Sequence, residues 1–522
     1  MPRSPAEYFG RLLHPLATLI LTSCILCLSI QTANCEPKRP SGRVPNIVLI
    51  LADDFGYGDA RCFNPQSKIP TPHIDRLAAE GMKFTDAHSG SAVCSPTRYG
   101  ILTGRYAWRT KLRRGVLGPY DPPLIAPDRP TLPALLKAQG YHTACIGKWH
   151  LGWDWPKKDG EVVFDQPIAG GPTARGFDYY FGTDVPNYPP YCFIRNERTV
   201  GQPTGMKEVR DLNGRPGPLL PGWKFDEILP TLASQAVDYI GERAKEKDKP
   251  FFLYFPLTSP HEPIAPSAKF RGKSGINDLA DFFMESDWAV GEVLAALDKH
   301  ELTANTLFVF TCDNGHATYT GLKPLTDAGH QVSGPYRGFK TDIWEGGHRV
   351  PFVARWPGKV AAGSTSAATI CHTNLLATCL DVVGQKPPAS GAEDSFSIWP
   401  ILNGKNANAN PFPYVVHQAA SGRLAIRQGK WKLLAGMRGE AADSSTPEEL
   451  YDLVADVGET TNIAAKHPDE VKSLLALLEK SIADGRSTPG EKVHNDVEVP
   501  LRIAAPATPG KKNATNNKKQ TK

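Results

Sequence analysis

Neither sign of charge dominates the chain. Its 59 Lys and Arg stand against 54 Asp and Glu, and the formal +5 is matched by five tail lysines: Lys511, Lys512, Lys518, Lys519 and Lys522. Once these and a leader with one net positive charge are set aside, the body is about neutral. Charge therefore does not suggest a nucleic-acid-binding body. No apolar run reaches the ~20 residues that a stable membrane span needs. No internal repeat is visible, which sets aside repeat architectures. Cysteine is sparse: ten in all, of which Cys62, Cys94, Cys145, Cys192, Cys312, Cys371 and Cys379 lie beyond the leader. An odd number in an exported chain flags one thiol with another fate.

Glycine and proline are plentiful, at 47 each, so loops are long and many. With 522 residues, 41% hydrophobic and 9% aromatic, the chain can bury a sizeable core and is not wholly disordered. Residues 1–35 read as an export signal: Arg3 and Arg11 precede an apolar stretch at 16–30, and Ala33-Asn34-Cys35 supplies small residues for cleavage. The expected location is periplasmic or secreted, from a bacterial host. A minority alternative is lipid anchoring at Cys24 within Leu21-Thr22-Ser23-Cys24, against which the apolar residues continuing to Ile30 argue.

Beyond the polar, Pro-rich stretch at 36–43, strands and helices alternate. The run NIVLILA (46–52) is apolar throughout, as in a strand covered on both faces. Thr71-Pro72 is expected to cap a helix to about Glu80, and a helix at 132–139 leads to a strand at 141–146. After a Gly/Pro-rich insertion at 153–222 come a helix (226–246), a strand (250–257), a helix (277–300) and a strand (306–311). This rhythm predicts an α/β fold with a mostly parallel sheet flanked by helices. Past a polar linker at 403–410, short strands at 414–417, 423–427 and 431–434 and an amphipathic helix at 468–484 predict a small C-terminal antiparallel sheet plus helix. The expected domains are 1–35 (signal), 44–402 (catalytic), 411–486 (α+β subdomain) and 504–522 (disordered basic tail).

In open α/β sheets ligands bind beyond the carboxyl ends of the strands. Four apolar strands are followed there by Asp53-Asp54, by Lys148-Trp149-His150, by His261, and by Asp313-Asn314. Any one of these is readily a solvated loop, but their convergence is not. Asp53, Asp54, Asp313 and Asn314 are hard oxygen donors with no His or Cys among them, which favours Ca²⁺ or Mg²⁺ over Zn²⁺. Ser91 to Tyr106 is the most specific segment: Cys94-Ser95-Pro96-Thr97-Arg98 enters a helix at Pro96, and Gly104 closes it. The thiol there reads either as reactive, in an anion-favouring setting, or as buried and structural.

C-S-P-T-R followed by L-T-G-R resembles the signature of the type I, formylglycine-dependent sulfatases. Asp53-Asp54, Gly147-Lys148-Trp149-His150, Pro260-His261, Asp313-Asn314-Gly315 and Gly338-Phe339-Lys340 stand in that family's order, and Tyr451-Asp452-Leu453 resembles its C-terminal subdomain. The likeness is strongest to the arylsulfatase A and N-acetylgalactosamine-6-sulfatase-like branches and implies an alkaline phosphatase-like fold. It implies that a maturation enzyme converts Cys94 to Cα-formylglycine (3-oxoalanine), whose hydrated diol supplies the nucleophile. It further implies one Ca²⁺ held by Asp53, Asp54, Asp313, Asn314 and the modified Cys94. Arg98 would hold the diol, Lys148 and Lys340 the sulfate oxygens, His261 would protonate the leaving alcohol, and His150 would deprotonate the second hydroxyl. The substrate class implied, a sulfated carbohydrate, also suits export. Competing readings are a phosphomonoesterase or phosphodiesterase of the same superfamily, which typically carries Ser or Thr with a His-rich two-metal site, and a glycan-binding protein without activity. His316 and His348 are open between the substrate side and a structural role, Trp149, Trp153 and Trp155 between a sugar-stacking wall and core. Arg113-Arg114 reads as a solvated pair rather than a polymer contact.

Overall fold

The computed structural model describes residues 43–210, 214–405, 412–438 and 446–504; the leader, Cys24, most of the linker and the basic tail fall outside these. Five parallel strands form the centre: β1 (Asn46–Ala52), β2 (His142–Lys148), β3 (Tyr179–Thr183), β4 (Phe251–Pro256) and β5 (Thr306–Cys312). Their spatial order is β5-β1-β4-β2-β3. Beyond β5, Phe352–Arg355 and then Met82–Phe84 pair antiparallel, Ser364–Ser366 adds a parallel edge strand, and beyond β3 a small hairpin brings the sheet to ten strands.

The apolar run of β1 explains its central place. Ile47, Leu49 and Leu51 enter one core, while Val48 and Ile50 enter another across the sheet. Alternation at period two thus feeds both faces, and both need covering. Helices Cys94–Thr103, Leu132–Lys137 and Asn374–Val382 cover the first face through Ile101, Leu102, Leu136 and Leu376. Helices Ile228–Ala244 and Asp278–Lys299 cover the second through Leu232, Phe283 and Leu294. Asn277 caps the longer of these by accepting from the Ala280 N–H at 2.9 Å.

Three sequence expectations are corrected. Thr71 occupies the N-cap position of Pro72–Ala79 but its side chain caps nothing in that helix, because its hydroxyl is engaged by Arg61 N–H and Asp75. The helix of the Cys94 motif begins at Cys94 itself, two residues before Pro96. The 153–222 stretch is not all loop: YYFGT forms β3, a full member of the parallel sheet. Its aromatic residues carry β propensity, but Gly176 shortly before the run and Gly182 inside it disguised it as turn.

The C-terminal sheet is antiparallel in chain order: Val415–Gln418, Leu424–Gln428, Trp431–Leu434 and Glu449–Asp452. The fourth strand has only Leu450 and Tyr451 buried, too short a pattern to read from sequence. Helix Pro468–Asp484 places Leu474 and Leu478 in the same core as Ile47 and Leu49, so this sheet and the large one share one apolar interior. Among the described residues no helix is long and apolar enough to cross a membrane.

Candidate active site

The carboxyl ends of β1, β4 and β5 and the last residue of β2 meet at one edge. Asp53 and Asp54 follow β1, Lys148 ends β2 with His150 just beyond, His261 follows β4, and Asp313 and Asn314 follow β5. The helix Cys94–Thr103 points its N-terminus at the same place, and Lys340 arrives from a loop. All ten sequence-predicted residues come together and all are buried. The approach of β2 to β4 is close: a Cβ on Gly147, at φ 131°, would lie 1.8 Å from the Pro256 carbonyl oxygen. Only glycine lets Lys148 end its strand here.

Each cation finds a carboxylate. Lys148 Nζ donates to Asp53 Oδ2 at 2.6 Å, and Lys340 Nζ donates to Asp54 Oδ2 at 2.8 Å and to Tyr319 Oη at 2.9 Å. Arg98 donates to Asp313 Oδ2 at 2.7 Å and to the Lys148 carbonyl at 3.1 Å. The Cys94 sulfur lies 3.8 Å from Asp53 Oδ1, and His261 Nε2 lies 3.9 Å from Asp54 Oδ2. Backbone strain concentrates here: Asp54 (φ 67°), His150 (φ 53°) and Thr341 (φ 84°) are all left-handed non-glycine residues. Thr341 is held by its N–H on Ala92 O at 2.9 Å and by Ala420 N–H on its own carbonyl at 3.0 Å.

Burial and like charge from Asp53 and Asp313 push Asp54 up to about 6 despite Lys340. Burial alone would raise Asp53 too, but Lys148 and Arg98 hold it below the ordinary range. Burial pushes the Cys94 thiol up to about 12, so the unaltered side chain is a protonated thiol. Burial, with the Lys148 ammonium, depresses both His150 and His261. The tautomers follow from their partners, since a carbonyl only accepts. His150 Nε2–H donates to Leu117 O at 3.0 Å, which leaves Nδ1 as a buried acceptor without a partner. His261 Nδ1–H donates to Glu262 O at 2.7 Å, which turns Nε2 toward the carboxylates.

Ligand atoms of Asp53, Asp54, Cys94 and His261 lie within 4.8 Å of one another, a buried group able to hold a metal ion. A hard cation fits: Asn314 Oδ1 is buried without a partner while its Nδ2 donates to Asp54 Oδ1 at 2.7 Å. In front of the sulfur opens a cavity of about 290 Å³ lined by Cys94, His150, His261 and Lys340.

Other residues singled out from sequence stand elsewhere. Trp149, Trp153 and Trp155 are core. His316 bonds Asp59, and His348 belongs to a separate buried cluster; neither lines the cavity. Arg113 and Arg114 donate to the carbonyls of Glu498 and Ala504. All seven described cysteines are free thiols. Sequence reasoning missed Asn187, Tyr188, Arg215 and Tyr319, which line the cavity from loops without a strand-end signal.

This fold and this site define a class of hydrolytic enzyme, and comparison with known proteins specifies it. The sulfatase family model matches residues 45–385, a model of the N-sulphoglucosamine sulphohydrolase C-terminus matches 338–487, and the chain belongs to the sulfatase family. It is 33% identical over 483 residues to N-acetylgalactosamine-6-O-sulfatase of Bacteroides thetaiotaomicron, covering 83% of this chain and 92% of that one. Human arylsulfatase A is 32% identical, covering 83% of this chain and 87% of its own. A solved Bacteroides thetaiotaomicron structure reported with glycosaminoglycan metabolism is 32% identical with TM-score 0.75, covering 84% of this chain and 99% of that chain. The chain is a sulfatase with the alkaline phosphatase-like sheet of that family.

Proposed function

We propose that the protein hydrolyses sulfate esters of carbohydrates through a formylglycine made from Cys94 and one Ca²⁺. The carrying observation is the placement of the Cys94 side chain at a helix N-terminus, 3.8 Å from Asp53 and beside two lysines and an arginine. A maturation enzyme is a required partner, because the cysteine does not oxidise itself to an aldehyde. The names of the relatives above support a sulfated glycan as substrate.

Asp53, Asp54, Asp313 and Asn314 would hold the Ca²⁺, with residue 94 completing the set. The metal supplies charge neutralisation, and the formylglycine supplies a hydroxyl nucleophile that a thiol is not. The remaining chemistry belongs to side chains of this chain. Lys148 and Lys340 are point charges that bind the sulfate oxygens and neutralise charge developing there. Arg98, anchored on Asp313, fixes the residue-94 side chain. His261 Nε2 must first gain a proton, which an arriving sulfate anion favours, and then gives it to the leaving alcohol. Such acid catalysis contributes ~10²–10⁴-fold. His150 Nδ1, an acceptor with no other partner, takes the proton that resets the site.

Export by the 1–35 leader is part of this reading and is checked by N-terminal sequencing of secreted material. The central test is sulfate release from a panel of defined sulfated saccharides, together with intact mass of the peptide containing Cys94. An unaltered thiol in active enzyme overturns the proposal.

A further inference from the structure

One wall of the cavity is not used by the chemistry at the sulfur. Asn187, Tyr188, Arg210 and Arg215 line the same cavity as Cys94 and Lys340. Arg215 is pre-set there: its guanidinium lies 4.0 Å over the Tyr188 ring and donates to Tyr188 Oη at 3.0 Å. Its backbone is clamped as well, with its N–H on Asn187 O at 3.2 Å and its carbonyl accepting from Tyr191 Oη at 2.6 Å. A long side chain held this way has lost most of its rotamer freedom before a ligand arrives, which lowers the entropic cost of binding.

A guanidinium has five donors, and Tyr188 takes one of those on Arg215. Among the described residues no carboxylate pairs with Arg215 or with Arg210. Among the described residues Glu262 is the one carboxylate lining this wall, and its Oε1 accepts from Asn187 Nδ2 at 2.6 Å. Asn187 Oδ1 is buried without a partner, an acceptor available to a hydroxyl.

Position sets which part of a ligand arrives here. The His150 and Tyr188 rings are 5.8 Å apart and Arg215 is stacked on the far partner of that pair at 4.0 Å. Arg215 is thus two ring contacts from His150, on the wall of the same cavity that Cys94 lines. We infer that Arg215, with Arg210, forms an anion subsite for a second acidic group on the saccharide, a carboxylate or a second sulfate, beside the ester being cleaved. The planar fork of Arg matches either anion bidentately. The preferred substrate is therefore a polyanionic saccharide rather than an isolated sulfate ester. This deepens, and rests on, the carbohydrate sulfatase reading above.

The test compares wild type with Arg215→Ala and Arg215→Lys, full-length and matured. The probes are 4-nitrophenyl sulfate, neutral monosulfated disaccharides, hexuronate-containing monosulfated disaccharides, and disulfated disaccharides without carboxylate. Turnover is measured directly, and saccharides that are not cleaved are read as competitors of 4-nitrophenyl sulfate. The expected result is a wild-type preference of about 10- to 100-fold for saccharides with a second acid over neutral ones, weakened by salt. Arg215→Ala should collapse that ratio to within about 3-fold, and Arg215→Lys should recover only part of it. The hexuronate and disulfate arms tell which anion is read. No preference in wild type, or a ratio untouched in Arg215→Ala, overturns the subsite; so does equal loss on all substrates, which marks a structural role. Failure of wild type to release sulfate from any of these probes would instead strike the catalytic proposal, and calorimetric binding of the same saccharides would still report on Arg215.

Discussion

The segment from Asp86 to Cys94 connects two clusters of buried charge that are alike in composition and opposite in use. The catalytic cluster sets Asp53, Asp54 and Asp313 against Arg98, Lys148 and Lys340. The second sets Asp86, Glu345 and Glu459 against Arg349, Arg427 and Lys432, with His88, His348 and His417 stacked among them. Both balance their charges in ion pairs.

Access separates them. The cluster around Cys94 opens onto a cavity lined by Cys94, His150, His261 and Lys340, while both clusters hold left-handed backbone and buried polar atoms without partners. None of the second cluster's residues lines that cavity. There Asp86 accepts from Arg427 through both oxygens at 2.7 Å, and Arg349 and His88 also engage it. Lys432 Nζ reaches Glu345 at 3.0 Å and Glu459 at 2.8 Å, and ligand atoms of His88, Glu345, His348 and His417 also lie within 4.8 Å of one another. Lys432 joins the C-terminal sheet to the short helix Glu345–His348. Buried ion pairs therefore do not identify a site by themselves; pairs left beside a cavity do.

The sharpest way to break this comparison is at residue 94. Cys94→Ala should abolish sulfate release while leaving the thermal midpoint close to wild type, because that residue makes chemistry and little core. Full activity in the variant removes the nucleophile assignment. Next, exhaustive chelation should lower activity strongly, with Ca²⁺ restoring it, and elemental analysis should find one metal per chain. A second equivalent lost in Lys432-proximal variants such as His417→Phe would show that the two clusters are not different in kind.

Breaking the second cluster should cost stability rather than chemistry. Asp86→Asn removes the carboxylate shared by Arg349 and Arg427 and leaves only Glu345 near both, and a loss of about 3 kcal/mol is expected by denaturant titration. A variant that unfolds at the wild-type midpoint would mean the cluster is slack. The smallest effect is on pH dependence. Burial depresses His348 and His417, with neighbouring His417, His88 and Lys432 adding to it and Glu345 opposing. Groups kept neutral in the fold bind protons preferentially in the unfolded chain. Their contribution is therefore complete above the unfolded pKa of about 6.5 and is lost as pH falls below it. His417→Phe should flatten the stability profile on that acid side, measured as thermal midpoint against pH.

The parallel sheet was legible because β1, β4 and β5 are unbroken apolar runs, which few other structures permit. The ten site residues were legible for a related reason: they follow those runs directly, or lie in the Cys94 to Arg98 motif and the Lys340 loop of the family order. β3 was not, since its five residues sit among glycines, and the wall carrying Asn187, Tyr188 and Arg215 went unread with it. His316 and His348, each following a glycine, were open in the sequence between the substrate side and a structural role. Their burial against Asp59 and Lys432 depends on partners far away in the chain.

What the chain determines locally is periodicity, strand ends and the five-residue motif from Cys94 to Arg98, since each rests on neighbours a few positions apart. Which of two equally charged clusters meets solvent was decided only by the tertiary fold. That outcome depends on how the loops from β3 and the C-terminal sheet close over one edge and leave the other open. Long-range packing, and no local pattern, sets where water and substrate can enter.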